Sequence, residues 1–423
     1  MKAKYYDPLF YISSEKMPFT IRIEVGLKET VSEQSLQCAV NMAMKRYPYF
    51  AIRVAEKDGE YLAEHNEKPV VVYPGTAVYS LGSENVNGHM LALSYFKNKI
   101  FFYTSHVITD GGGFFPFIKT VLYYYLCDRY QIELDPDGIN LTEDDFFADE
   151  LGNPYPEEKM KTAEPFYRKK LPDFFRLKDS GYVCDREATV FRFKLNESEI
   201  MKFNYDNDGS PCSLLSVLMA KAIWSLHPEE KKDIVSAVSF NLRPGLGNRH
   251  NYRMLCSAIM LDYPDKMRNT DVTRMCTCSR GMTTLQSQPE NVIYYAAQRK
   301  KRVEELLAVP DIEEKKRLCG QMALKDSTEN TFSVSYVGKI SFGSIEPYIE
   351  SMYNLTDGST YETVFIEVAA VNGVFHVAFI QGFSSDVYYK SFLEQLRFCG
   401  LSYEEGEVTK LNTPDMTWTK ENA

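Results

Sequence analysis

His106, Asp110 and Gly111 form the only H-x-x-x-D-G in the chain, within the run HVITDG. With six histidines and ordinary Asp and Gly frequencies, chance supplies that pattern roughly 2% of the time. An imidazole titrates near neutrality, so it is suited to taking a proton from a hydroxyl or amine as that group attacks an electrophile. Asp110 and the three glycines that follow, Gly111, Gly112 and Gly113, read as a turn opening a helix, where backbone N–H groups and a compact chain can approach a ligand. His65, His89, His227, His250 and His376 stand far apart with no H-x-x-x-H pair, so no metal site is expected. There is no G-x-S-x-G, Walker loop or Rossmann fingerprint, which leaves hydrolase-elbow, ATPase and dinucleotide readings without support.

Local periodicity predicts the elements that must hold this motif. Residues 89–96 and 100–107 are apolar runs joined by Lys97-Asn98-Lys99, a hairpin whose second arm delivers Thr104, Ser105 and His106 to its end. Beyond the glycines, Phe114, Phe117, Ile118, Val121, Leu122, Tyr125 and Leu126 make a helical stripe reaching Tyr130. The motif therefore lies between a strand and a helix. Upstream, residues 19–27 alternate as a strand, Ser32 caps a helix that Pro48 stops, and residues 49–54 return as a strand. Downstream, residues 189–195 and 233–241 read as strands, 252–263 as another, and 196–205 as a short polar helix. Residues 213–226 are apolar all round, as in a buried helix. Residues 271–307 are mostly helical, 361–371 and 374–381 flank the Asn372-Gly373 turn, and 386–401 close the chain as a helix before a frayed end.

A chain of 423 residues exceeds one ordinary core, which stops growing near about 250–300. With 44% hydrophobic, 13% aromatic and 25% charged residues, it is neither collagen-like, coiled-coil nor mainly disordered. The expectation is an α/β chain of two α+β lobes, 1–170 carrying HVITDG and 171–423. The start has no apolar signal core, and no run reaches the roughly 18 apolar residues of a bilayer span. Nine cysteines, of which only Cys276 and Cys278 are close, fit a reducing cytoplasm better than a disulfide framework or a zinc site. The net charge is −10, but residues 133–158 hold ten acidic residues and no Lys or Arg, and outside them acids and bases balance at 48 each. That segment is read as a solvated crossing between lobes or a lid, and no nucleic-acid partner is expected.

HVITDG, set between a hairpin strand and a helix, resembles the signature of the chloramphenicol-acetyltransferase-like superfamily of coenzyme A-dependent acyltransferases and peptide-synthetase condensation domains. KRYPYFAIRV at 45–54 and VSFNLRPGLGN at 238–248 extend the resemblance over nearly the whole chain. It implies two related lobes meeting at a central tunnel, with His106 between an acyl donor and an acceptor. It further implies that Asp110 is structural, pairing with an arginine, for which Arg243 in FNLRP is the candidate. TFSVSYVGKISF at 331–342 resembles the segment that carries an oxyanion donor, with Ser333 and Ser335 on one face, Gly338 at the family's glycine and Ser335 the candidate.

The resemblance implies acyl transfer from a thioester, an acyl-coenzyme A or a carrier-protein thioester, to a small hydroxyl or amine acceptor, with His106 as general base. No bound cofactor or metal is implied. Two other readings stand beside it: a non-catalytic condensation-like binding protein, and a carrier-protein-dependent condensation enzyme. Ser105 stands where peptide-forming condensation domains carry a second histidine, and the D-F-G-W-G motif of plant acyltransferases is absent. Both departures point away from those branches. The basic run Arg299-Lys300-Lys301-Arg302 is read as a solvated helix face with i,i+4 ion pairs rather than a phosphate site.

Overall fold

The HVITDG turn leaves one sheet and faces another, and the two sheets come from interleaved parts of the chain. The computed structural model describes residues 8–13, 19–57, 60–76, 80–167, 170–326, 329–336, 338–356 and 363–412. The first half contains β1 (Thr20–Leu27), α1 (Glu33–Arg46), β2 (Ile52–Lys57), β3 (Glu60–His65), β4 (Val72–Pro74), β5 (Leu91–Phe96), β6 (Lys99–Ser105) and α2 (Gly111–Tyr130). β5 and β6 form the expected hairpin, with Phe96 opposite Lys99 and Lys97 at φ 53° in the turn. Ser32 caps α1 by accepting from the Ser35 N–H at 3.3 Å. The strand expected at 49–54 starts only at Ile52, because Pro48–Phe50 makes a helical turn. Proline pre-sets that φ, and the buried Phe50 ring packs edge-on against Phe114 of α2.

The second half contains α3 (Glu157–Met160), β7 (Cys184–Asn196), α4 (Glu197–Asp206), α5 (Pro211–Leu226), β8 (Ile234–Asn241), α6 (Arg243–Leu246), β9 (Cys256–Tyr263), α7 (Val272–Gln286), α8 (Pro289–Leu307), α9 (Ile312–Asp326), β10 (Phe332–Tyr336), β11 (Ile349–Thr356), β12 (Val364–Val371), β13 (Val374–Phe383), α10 (Val387–Phe398) and β14 (Glu404–Asn412). Its seven-stranded sheet runs β14-β7-β13-β12-β10-β8-β9. α5, apolar on every side, is the buried helix expected, and a Ser210/Ser213 capping box starts it. β12 and β13 turn at Asn372 and Gly373, both with positive φ. Residues 361 and 362, expected to begin β12, and the end expected to fray at 413–423 lie outside the described residues.

One strand changes sides. β11 pairs antiparallel with β1, placing Thr356 opposite Ile21 and Asn354 opposite Ile23, so the first sheet runs β11-β1-β6-β5-β4. A segment beyond residue 170 thus completes the sheet that carries the motif, and its other face meets β12 and β13.

The acidic crossing is pinned rather than wholly solvated. Residues 143–148 are exposed, but Glu150 is buried and accepts from both Arg46 Nη atoms, at 2.6 and 2.9 Å. Asp149 accepts from the His250 ring at 2.9 Å. A buried charge needs a partner, and Arg46 of α1 supplies it.

Candidate active site

His106 is the first residue past β6, and its N–H donates to the Phe19 carbonyl at 2.6 Å. Its Nδ1 lies 2.9 Å from the Thr109 carbonyl. A carbonyl only accepts, so Nδ1 carries a hydrogen, and in the neutral ring Nε2 keeps its lone pair. The turn itself is held from two directions. Tyr49, just after α1, donates its hydroxyl to the Ile108 carbonyl. Thr109 Oγ1 donates to the Tyr252 carbonyl at 2.6 Å, from the other half of the chain.

Asp110 caps α2, accepting from the Gly113 N–H at 3.0 Å. Its carboxylate is also bidentate with Arg243: Nη2 to Oδ1 is 2.7 Å and Nη1 to Oδ2 is 3.0 Å. The Leu255 N–H adds a fourth bond at 2.7 Å. Arg243 spends its remaining donors on the Asn251 and Arg253 carbonyls, at 2.8 and 2.6 Å, and on Asn241 Oδ1 at 3.3 Å. Burial alone would raise the Asp110 acid, but the Arg243 guanidinium and the two N–H donors outweigh it and hold the acid below the usual carboxylate range. The glycines have a steric reason: a Cβ on Gly112 would come 2.8 Å from Arg243 Nη1, and one on Gly113 only 2.2 Å from the Tyr252 carbonyl oxygen.

A cavity of about 750 Å³ opens beside this turn. The structure brings His106, Asp110, Gly111, Arg243 and Ser335 together on its wall, along with Gly338. Ser333, on the same strand as Ser335, does not line it and accepts from Asn330 at 2.9 Å. Asn354 and Thr356 of β11, Glu367 of β12 and Cys256 of β9 also reach the wall, and nothing in their local sequence marks them. Each lies in an ordinary strand pattern, and only the pairing of distant strands gathers them.

Two titratable groups here are displaced. Burial disfavours the charged His106 ring, but the hydrogen bond and charge of Cys256, the Asp110 charge and the Thr109 carbonyl prevail and raise it to about 9. Glu367 goes up for the opposite reason: burial lifts its acid to about 7, against the Thr356 hydroxyl and N–H and the His106 charge, which favour ionisation.

The other histidines are occupied elsewhere. His89 Nε2 sits 2.8 Å from the Lys68 carbonyl, and His227 Nε2 2.8 Å from the Tyr388 hydroxyl. His250 stacks on Phe147 at 3.8 Å, exposed His65 meets Glu67, and buried His376 is depressed to about 4 chiefly by burial. Among the described residues no group of three His, Cys, Asp or Glu is placed to hold a metal ion. In the basic run, Lys300 and Lys301 form i,i+4 pairs with Glu304 and Glu305. Arg299 differs, turning inward to donate to the Cys256 carbonyl at 3.1 Å. No single described helix is long and apolar enough to cross a membrane.

No protein-family model matches the chain, and no curated protein matches it. Solved structures do. Polyketide synthase associated protein 5 from Mycobacterium tuberculosis superposes with a TM-score of 0.60 at 12% identity, covering 92% of this chain and 95% of that one. F. graminearum TRI101, complexed with coenzyme A and T-2 mycotoxin, gives 0.56 at 12% identity over 95% and 98%. The first condensation domain of the calcium-dependent antibiotic synthetase gives 0.57 at 11% identity over 92% of both. The chain therefore has the two-lobed α/β fold that these structures share.

Proposed function

We propose that this protein moves an acyl group from a thioester, in the first place an acyl-coenzyme A, to a hydroxyl or amine acceptor by direct attack. One observation carries the reading: a histidine whose Nδ1–H is committed to a carbonyl, leaving Nε2 as the nitrogen that can exchange a proton, lines a cavity between two sheets. As the acceptor oxygen or nitrogen attacks the thioester carbonyl, its proton passes to His106 Nε2. The tetrahedral intermediate carries an oxyanion, for which Ser335 Oγ is the candidate donor. Collapse breaks the carbon–sulfur bond, and the departing thiolate takes the proton back from Nε2. No acyl-enzyme forms. Asp110 and Arg243 touch no reacting atom in this scheme; they hold the turn that aims the ring.

The fold shared with a coenzyme A-bound acyltransferase supports the donor. So does a second cavity of about 310 Å³, which shares Leu9, Met254 and Cys256 with the first and is bordered by Arg299 and Arg302. A cationic border of this kind suits the phosphates of a coenzyme A better than a neutral arm.

The test follows thiol release from short- and long-chain acyl-coenzyme A with a panel of alcohols and amines. Release should depend on the acceptor and vanish in His106→Ala. Equal turnover in that variant removes the base and with it this mechanism.

A further inference from the structure

Among the side chains of the cavity wall, two keep a buried oxygen without a partner among the described residues: Oδ1 of Asn354, a residue 8% exposed, and Oε1 of Glu367, 4% exposed. Their placements converge. Asn354 and Thr356 alternate onto one face of β11, about 7 Å apart along the strand. Glu367 reaches the same wall from β12. In the parallel pairing of β10 and β12, Glu367 lies beside Ser335, and the His106 charge acts on it. The two side chains therefore share a cavity wall with His106 and stand apart from the Asp110 anchor.

A buried acceptor left unmade costs about 1–3 kcal/mol, and more for a charge. Proteins keep such groups where a ligand completes them. Both orphans are acceptors, so the ligand must bring donors. The other carboxylate on this wall, Asp110, has its cation in Arg243; Glu367 has no Lys or Arg partner among the described residues, and once His106 is the neutral base no cation faces it. A hydroxyl offers one donor and no charge, whereas an ammonium group offers three donors and the missing positive charge.

Building on the acyltransferase reading, we propose that Glu367 and Asn354 hold the ammonium group of the acceptor while its hydroxyl meets His106 Nε2. The acceptor class is then an amino alcohol, acylated on oxygen. The amine stays protonated in the cradle, which keeps it from attacking, and selectivity for oxygen over nitrogen follows. The bond made is the ester, the bond broken is the thioester, and the proton from the hydroxyl leaves on the thiol.

The probes are ethanolamine, aminopropanol and aminopentanol, each against the n-alkanol of equal length. Calorimetric titration into His106→Ala protein reads binding without chemistry, and thiol release from the wild type reads turnover. At least one amino alcohol should bind while its alkanol does not. Glu367→Gln should weaken that binding about 10- to 100-fold and raise KM for the amine by a similar factor, with the KM of the acyl donor nearly unchanged. Asn354→Ala should act in the same direction and more weakly, and thermal melting checks that both variants are folded. Equal binding of alkanol and amino alcohol, or an unchanged preference in Glu367→Gln, overturns the assignment. Selective binding with no thiol release in the wild type would instead keep the cradle and sink the acyl-transfer reading.

Discussion

Two buried carboxylates line one cavity and live in opposite electrostatic worlds. Asp110 accepts four hydrogen bonds, two of them from one guanidinium, and its acid sits low. Glu367 is bonded by Thr356 alone, keeps one oxygen unpaired, and has its acid lifted to about 7. The first arrangement is complete within the chain. The second is incomplete, and an incomplete buried polar group is where a ligand gains most. Burial is shared; the difference is whether the protein supplies the partners.

That contrast can be broken by experiment. The largest effect expected is on chemistry between the two carboxylates: His106→Ala should lower acyl transfer about 10²- to 10⁴-fold, the span of general-base catalysis, with stability near that of the wild type, measured as thiol release and thermal melting. Next comes the complete side. Asp110→Ala leaves Arg243 buried and unpaired and should cost about 3–5 kcal/mol by denaturant unfolding, whereas Glu367→Gln should change stability by less than about 1 kcal/mol, since no ion pair is lost. Equal losses in both would erase the distinction. Removing Asp110 and Arg243 together should cost less than the sum of the single changes. Because the Asp110 acid is held low in the folded chain, its contribution is present above the unfolded carboxylate range and fades as pH falls.

Smaller effects sharpen the picture around the base. Ser335→Ala should reduce kcat about 10²-fold if its hydroxyl donates to the oxyanion, and a loss confined to KM would exclude that role. The pH profile should rise with pH towards about 9, because His106 is raised to that value and accepts a proton only in its neutral form. Cys256→Ala removes the influence that raises the ring most, leaving burial to pull it down, so the rise should move to lower pH. A profile that stays in place would show that the thiol does not set the base. The raised ring also stabilises the fold below the unfolded imidazole range, near about 6.5, and that contribution fades as pH rises through about 9.

The amino-acid sequence alone carries what is local. The hairpin, the turn and α2 follow from patterns a few residues long, and HVITDG holds imidazole and carboxylate four positions apart, so the candidate site's central turn is legible without coordinates. Where local patterning failed, packing had intervened: Tyr49 and Phe50 coil under α2 although they read as strand, and Glu150 is drawn from an acidic run into a buried pair with Arg46. The Asp110–Arg243 bond spans 133 positions and is legible only through the family resemblance. Tertiary structure alone decided that β11 joins the first sheet and that Cys256, Asn354 and Glu367 reach the cavity. The reason is physical: strand alternation states which residues share a face, but not which sheet the strand will join or what that face will meet.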